Sequence, residues 1–281
     1  MSAHTLTGSI QAHPAFSSTI LGNKRDVLVY LPPGYRRSRL RRYPVLYLHD
    51  GQNIFDAATA FGGVEWGADE TAQRLVKGKL IEPLIIVAVA NTGLDRIHEY
   101  APTRARIFEG KRRRSRGLLK SHGRFLIEEL KPFIDGTYRT KPEAEFTGLG
   151  GSSLGGLATL VLGLWFPDVF NRLAVISPSV WWDNCVIYDM VDAIYDKPPL
   201  KIWLDIGTHE EGWERTRGLC DRLIEKGWRL HDDLHYFEAE GANHSEVSWA
   251  ARMDPVLRFL YPPPPPVPRA PRCLRQSVVA A

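Results

Sequence analysis

The chain has 281 residues and a net charge of +4; apolar residues make up 44% of it and charged residues 24%. These proportions exclude a disordered or fibrous chain and predict one globular domain with a substantial core. The three cysteines are widely spaced and form no Cys-x-x-Cys pattern, which excludes a disulfide framework. Because the first residues lack an apolar signal segment and no apolar run could span a bilayer, we expect a cytoplasmic protein that does not bind membranes.

Strands are predicted at seven short apolar runs that are bounded by glycine, proline or charged residues and are mostly rich in β-branched or aromatic residues. They cover residues 27–31, 45–48, 84–90, 146–149, 173–176, 201–206 and 234–237. Apolar residues spaced three and four apart predict helices between several of them, at residues 118–133, 154–165, 213–223 and 249–260. This alternation predicts an α/β fold with a mostly parallel central sheet and helices on both faces. The strands before residue 50 have no helix between them, so we expect an antiparallel edge there.

Proline marks the end of the predicted domain. Five consecutive prolines occupy residues 262–266 and cannot continue the last helix. We therefore expect one domain over residues 1–261, followed by a disordered tail over residues 262–281 that is rich in proline and arginine.

Basic residues concentrate in two segments. The first segment holds Arg36, Arg37, Arg39, Arg41 and Arg42, and the second holds Lys111, Arg112, Arg113, Arg114 and Arg116. Such clusters attract anions, nucleic acids included. Aromatic residues do not interleave with the arginines as they do on single-strand-binding surfaces. We therefore interpret both segments as solvated loops and expect no nucleic-acid partner.

A G-x-S-x-G pattern occurs at residues 151–155, with Ser153 as its serine. It follows a predicted strand and opens a predicted helix, which is the context of a nucleophile elbow. The sharp turn exposes the serine oxygen at the carboxyl end of the sheet, where the helix N-terminus directs N–H donors. The alternative of a phosphate-binding turn lacks the lysine of a Walker pattern, and Ser152 lies one residue early for the motif.

The base and the acid are expected after Ser153, in the order serine, acid, histidine. His244 is predicted as the base because it lies on a loop between the last strand and the last helix, whereas His231 precedes that strand and His235 lies within it. The acid is expected after the strand at residues 201–206. Glu210 is preferred there, with Glu211 and then Asp205 as the alternatives.

The oxyanion of an acyl-transfer intermediate needs two N–H donors. The backbone N–H of Leu154 is one candidate, and that of Gln52, in the loop after an early strand, is the other. His49 and Asp50 precede Gln52 and suggest a metal site, but no further ligands accompany them, so we expect them to line the pocket instead.

Three segments now form a recognisable set: residues 47–53 (YLHDGQN), 151–156 (GSSLGG) and 177–182 (SPSVWW). The set resembles the putative esterase family of α/β hydrolases, which groups enterochelin-esterase-like enzymes, feruloyl and acetylxylan esterases, S-formylglutathione hydrolase and mycolyltransferases. Residues 207–210 and 243–246 resemble the acid and histidine loops of this family. Arg96, with Glu99, Tyr100 and Pro102, resembles a segment that lines or braces its pocket. The resemblance extends over residues 18–261.

The resemblance implies an α/β-hydrolase fold without a large lid, and ester hydrolysis through an acyl-enzyme that needs no metal or cofactor. The expected substrate is a small-molecule or carbohydrate-linked ester. The candidates for lining its pocket are His49, Asp50, Trp66, Arg96, Glu99, Trp181 and Trp182, although any one tryptophan fits a core position equally well. Residues 108–116 are basic where relatives often carry a glycine-rich loop. If this segment borders the site, an anionic substrate is expected.

Alternative functions on the same fold stay open. One is a siderophore trilactone esterase of the enterochelin type, and another is an acyltransferase in which a sugar hydroxyl replaces water. A third is a binding module without catalysis, against which the presence of all three triad residue types argues. A DNA-binding role would depend on the arginine clusters alone and would give steeply salt-dependent binding.

Overall fold

The computed structural model describes residues 4–106 and 114–264. The predictions for Lys111, Arg112 and Arg113 lie outside the described residues. So do those for Cys273 and for the tail beyond residue 264.

The described residues form one eight-stranded sheet with the strand order β1-β2-β4-β3-β5-β6-β7-β8. The strands are β1 (Ser9–Ser18), β2 (Asn23–Leu31), β3 (Val45–His49), β4 (Ile85–Val89), β5 (Thr147–Ser153), β6 (Arg172–Pro178), β7 (Lys201–Gly207) and β8 (Leu234–Ala239). The β1–β2 and β2–β4 pairs are antiparallel and all the others are parallel. This confirms the mostly parallel sheet and its antiparallel edge.

The first strand, β1, was not predicted from the sequence. It is an edge strand that pairs only with β2, so most of its side chains are exposed or half-buried and no apolar run marks it. Its register shifts between His13 and Phe16. Pro14 lies at this shift, where a residue without an N–H interrupts no ladder hydrogen bond.

Most of the helices lie between strands in the order of the chain. They are α1 (Ala68–Lys77), α2 (Arg96–Tyr100), α3 (Leu119–Arg124), α4 (Lys131–Thr137), α5 (Leu154–Trp165), α6 (Trp182–Asp192), α7 (Trp213–Glu225), α8 (Glu246–Ala250) and α9 (Met253–Leu260). A π-helical turn (Phe125–Leu130) joins α3 to α4, so the predicted helix at residues 118–133 is one continuous helical segment. The predicted helix at residues 249–260 is divided between α8 and α9. Helices α1, α2 and α6 were missed.

The sheet has a hydrophobic core on each face. Along β3, Val45 and Tyr47 belong to one core and Leu46 and Leu48 to the other, because successive strand side chains point to opposite faces. Helices α3, α5, α6 and α7 cover the first face, and α1 and α9 cover the second. The carboxyl ends of the parallel strands meet at one edge, so the loops that follow them converge there. Among the described helices, none is both long and apolar enough to cross a membrane.

Candidate active site

The turn from β5 to α5 holds Ser153 in a strained conformation. Its φ and ψ are 57° and −124°, a backbone conformation that residues other than glycine rarely adopt. The turn also brings backbone into close contact, since a Cβ atom on Gly151 would lie 2.9 Å from the carbonyl carbon of Gly155. The glycines of the motif therefore permit a turn this sharp, and the turn presents Ser153 at the carboxyl edge of the sheet.

Three side chains from three loops meet at this edge. The Nε2 atom of His244 lies 2.9 Å from the Oγ of Ser153, and its Nδ1 lies 2.6 Å from the Oε2 of Glu210. His244 lies on the loop between β8 and α8, and Glu210 follows β7. The His244 side chain is half-exposed, whereas the Glu210 side chain is buried. This arrangement can pass a proton from serine to imidazole while the carboxylate orients the ring.

A hydrogen-bond network fixes Glu210 from behind. Its Oε1 accepts hydrogen bonds from the hydroxyl of Ser177 at 2.6 Å and from the backbone N–H of Gly207 at 2.8 Å. Burial by itself raises the pKa of the Glu210 carboxyl, but the hydrogen bonds from His244, Ser177 and Gly207 outweigh it and lower that pKa below its ordinary value. Glu210 is therefore kept ionised, as a partner for imidazolium must be.

A second buried carboxylate and a buried guanidinium extend this network. Arg252 donates to the Oγ of Ser177 at 2.8 Å and lies 3.5 Å from Asp205 and 3.9 Å from Glu210. Asp205 accepts from the Trp203 indole at 2.6 Å and from the Ser177 backbone N–H at 3.0 Å. Burial raises the pKa of Asp205 to about 6, against the lowering effect of Arg252. Asp205 therefore contacts Ser177 and Arg252, the residues that support Glu210, whereas the Nδ1 of His244 is hydrogen-bonded to Glu210.

The alternative acid Glu211 is exposed and lines the larger of the two cavities described below. Of the three carboxylates weighed from the sequence, Glu210 is the one hydrogen-bonded to His244.

One oxyanion candidate follows Ser153 in the chain, and the other lies in the loop after β3. Leu154 is the first residue of α5. Gln52 belongs to a short 3₁₀ turn (Gly51–Asn53) after β3 and lines a cavity together with Ser153. The Gln52 side chain accepts a hydrogen bond from the backbone N–H of Asn91 at 3.2 Å, which ties this turn to the segment after β4.

Two cavities open at Ser153 and His244, and both residues line each of them. The larger, of about 1260 Å³, runs past the loop after β6 and the start of α7. The smaller, of about 340 Å³, runs past the loop after β3. A substrate bound across the pair would place one part in each cavity and its ester at Ser153.

Three of the seven pocket candidates line these cavities. Asp50 and Arg96 line the smaller one and form a bidentate ion pair, with N–O distances of 2.6 and 2.8 Å. Burial raises the pKa of the Asp50 carboxyl, but the Arg96 guanidinium outweighs this and lowers it. Trp181 is half-exposed and lines the larger cavity.

The other four candidates are buried and line neither cavity, so their assignment to the pocket is corrected. His49 packs on Tyr100 and His122 beneath the elbow, and Glu99 pairs with Arg25 at 2.9 Å. Trp182 donates to Thr103 from a core position. Trp66 lies behind Trp249, with ring centroids 6.0 Å apart.

Sequence reasoning missed residues that support the site. Trp249, on α8, packs edge-on against the His244 ring with centroids 4.9 Å apart and lines the smaller cavity. Ser177 and Arg252 hold Glu210. Ser177 opens the segment at residues 177–182 quoted above, and its φ of 40° is a further sign of a constrained position. Nothing in the local sequence marks Arg252, which lies in the turn between α8 and α9.

Metal-type ligands do not gather at these cavities in the described residues. One cluster, Glu65, Asp69 and Glu70, has carboxylate oxygens within 4.8 Å of one another, and none of the three lines either cavity. His49 packs against the rings of Tyr100 and His122, and Asp50 is engaged by Arg96.

Comparison with known proteins gives consistent results. The model of the family described as Putative esterase matches residues 18–260. Ferri-bacillibactin esterase BesA of Bacillus subtilis is 26% identical over 250 residues, covering 80% of this chain and 81% of BesA. An endo-1,4-beta-xylanase/feruloyl esterase of Xylanibacter ruminicola is 25% identical over 272 residues, covering 90% of this chain and 31% of that protein. A solved IroE-like serine hydrolase from Shewanella oneidensis shares the fold, with a TM-score of 0.72 and 22% identity over 90% of this chain and 80% of that one.

Proposed function

We propose that this chain, which belongs to the Putative esterase family, hydrolyses carboxylic esters through an acyl-enzyme formed on Ser153. The observation that carries the proposal is the continuous contact from Ser153 through His244 to Glu210, at 2.9 and 2.6 Å. The first distance lies within the hydrogen-bond reach that a nucleophile and its base require, and the second lies within that of a base and the acid that orients it.

In the first step His244 takes the proton of Ser153 as the serine oxygen attacks the ester carbonyl. The new C–O bond converts the carbonyl into a tetrahedral oxyanion. The backbone N–H groups of Leu154 and Gln52 stabilise this oxyanion, since Leu154 follows the nucleophile and Gln52 lines the same cavity as Ser153. His244 then gives its proton to the departing alcohol, and the acyl group remains on Ser153.

In the second step His244 takes a proton from water, which attacks the acyl-enzyme and releases the acid. Glu210 stays ionised throughout and stabilises the imidazolium in both steps. Trp249 limits the tilt of the imidazole through its edge-on contact. The reaction needs proton transfer and oxyanion stabilisation alone, both of which this chain's residues supply.

The substrate is proposed to be a small-molecule or carbohydrate-linked ester. The names of the relatives specify ferri-bacillibactin for one and feruloyl esters for another, so ester hydrolysis is shared and the acyl group is not. The half-exposed Trp181 in the larger cavity offers a face on which an aromatic acyl group can stack. We therefore expect feruloyl or benzoyl esters to be better substrates than acetyl esters.

The test compares wild type with Ser153→Ala on p-nitrophenyl acetate, butyrate and ferulate. We expect Ser153→Ala to lower kcat by about four orders of magnitude or more, because the nucleophile is lost. Ser152→Ala, at the neighbouring buried serine, is the matched control and should retain most of the activity. Equal activity in wild type and Ser153→Ala would refute the proposal.

A further inference from the structure

Four arginines line the larger cavity beside the reactive serine. They are Arg104, Arg106, Arg114 and Arg215, and all four are exposed to solvent. Ser153 and His244 line the same cavity. A group bound against these arginines can therefore belong to the molecule whose ester lies at Ser153.

Two of the arginines are placed directly opposite each other. Arg106 and Arg114 form an isolated antiparallel bridge, so their side chains leave adjacent positions on paired backbone. Like charges at such positions repel each other and destabilise the pairing. An anion bound between them would remove this repulsion.

The positive charge of the four arginines exceeds the negative charge of the described carboxylates that line the same cavity. Among the described residues that line it, the acidic ones are Asp183, Glu210 and Glu211, and Glu210 is already engaged by His244. Within residues 4–106 and 114–264, none of the four arginines forms an ion pair with a carboxylate. Counted over the described part of the lining, four guanidinium groups thus face the cavity against two uncommitted carboxylates.

We propose that these arginines form a subsite for a carboxylate carried by the substrate, so that the preferred substrate is an anionic ester. This inference rests on the proposed function, because the ester must react at Ser153. Guanidinium groups present N–H donors in a planar fork that matches both oxygens of a carboxylate. A cavity of about 1260 Å³ has room for a carboxylate at the arginines and an ester at the serine.

The test uses two matched pairs of esters, because the carboxylate can lie on either side of the scissile bond. On the acyl side, p-nitrophenyl hydrogen glutarate is compared with its methyl ester. On the alcohol side, para-acetoxybenzoate is compared with methyl para-acetoxybenzoate. The double variant Arg106→Gln/Arg114→Gln removes the opposed charges. Arg36→Gln/Arg37→Gln is the matched control, since these arginines are exposed and line neither cavity.

We expect Arg106→Gln/Arg114→Gln to lower kcat/KM for the anionic member of at least one pair by about tenfold or more, as the loss of a charge-assisted hydrogen bond does. The neutral member should change less than about twofold, a bound set by the weak effect of exposed charges on neutral ligands. Added salt should reduce the wild-type preference for the anionic ester. The control variant should behave as wild type.

Equal losses for charged and neutral esters, or no loss for either, would overturn the subsite while Ser153-dependent hydrolysis of the neutral esters continued. If wild type hydrolysed none of the esters in a Ser153-dependent way, the proposed function would fail, and the subsite with it. Thermal unfolding of both double variants separates a binding effect from a loss of folded protein.

Discussion

In the proposed mechanism, Ser153 is a nucleophile with a strained backbone and Glu210 is an acid that its hydrogen bonds hold rigidly. Ser153 has positive φ at the elbow, which holds its oxygen out of the helix and 2.9 Å from His244. Glu210 is immobilised by three hydrogen bonds, so little reorganisation is needed when the imidazole becomes charged. The donor with the least obvious role is Ser177, which donates to Glu210 and accepts from Arg252.

Replacing Ser177 by alanine tests this role. The hydroxyl lowers the pKa of Glu210, so its removal should raise that pKa. Because Glu210 must be ionised to stabilise imidazolium, activity should then begin to fall at a higher pH as the solution is acidified. At neutral pH we expect kcat to fall by about tenfold with KM unchanged, the size of a lost hydrogen bond to a charged group.

The measurement is the pH profile of kcat/KM for wild type and Ser177→Ala. Ser179→Ala is the control, because its hydroxyl lies 3.4 Å from that of Ser153 and does not bond to Glu210. It should leave the acidic limb of the profile unmoved. An unmoved limb in Ser177→Ala as well would show that Ser177 is not a positioning residue for the acid.

At the scale of the elements, a buried ion pair joins β2, an inner strand of the sheet, to the helices beneath the elbow. Arg25, on β2, pairs with Glu99, on α2, and His122, on α3, lies 3.6 Å from the same carboxylate. Arg25 and Glu99 are both almost fully buried. Burial by itself raises the pKa of Glu99, but His122 and Arg25 lower it to about 2. This contact joins three elements that are far apart in the sequence.

Glu99→Gln should therefore lower the free energy of unfolding at neutral pH by about 3 kcal/mol, since the depressed pKa is stability gained by the ionised form. The wild-type contribution is fully present above the ordinary glutamate pKa and is lost as pH falls toward about 2. The difference between the two proteins should shrink over that interval. Urea unfolding at neutral pH and near pH 3 measures it.

An exposed ion pair provides the control for this prediction. Glu128 pairs with Arg124 one helical turn away at 2.8 Å, and both are exposed. Glu128→Gln should leave stability almost unchanged, because solvent screens the pair. Equal effects of Glu99→Gln and Glu128→Gln would contradict the assignment of stability to the buried pair.

The elements that the sequence predicts most clearly are those marked by a motif or an apolar run within their own residues. Helix α5 occupies the predicted residues, because the elbow motif fixes its start and a small apolar run fixes its length. Strand β1 escaped prediction because an edge strand buries little and needs no apolar run. Strand β5 runs to Ser153. The predicted strand ended at residue 149 because the last residues of β5 are glycine and serine, which carry no strand signal.

For the molecule as a whole, the triad residues could be predicted from the sequence because they lie at the ends of parallel strands of one sheet. Ser153 ends β5, while Glu210 and His244 follow β7 and β8, and parallel strands bring such strand ends and loops together. The pocket walls were less predictable, since residue type does not determine which side of a loop faces the cavity. Trp181 lines the cavity while Trp182 is buried, although the two are adjacent. The cavity arginines likewise come from loops on both sides of residues 107–113 and from α7.

The most direct test of the central claim is covalent labelling with a p-nitrophenyl alkylphosphonate, followed by mass spectrometry of the intact protein and its peptides. We predict one phosphonyl group per chain, on Ser153, with hydrolysis lost in proportion to labelling. His244→Ala should label far more slowly, because the serine then lacks its base. A label on another serine, or an active ester hydrolase that remains unlabelled at Ser153, would contradict the account.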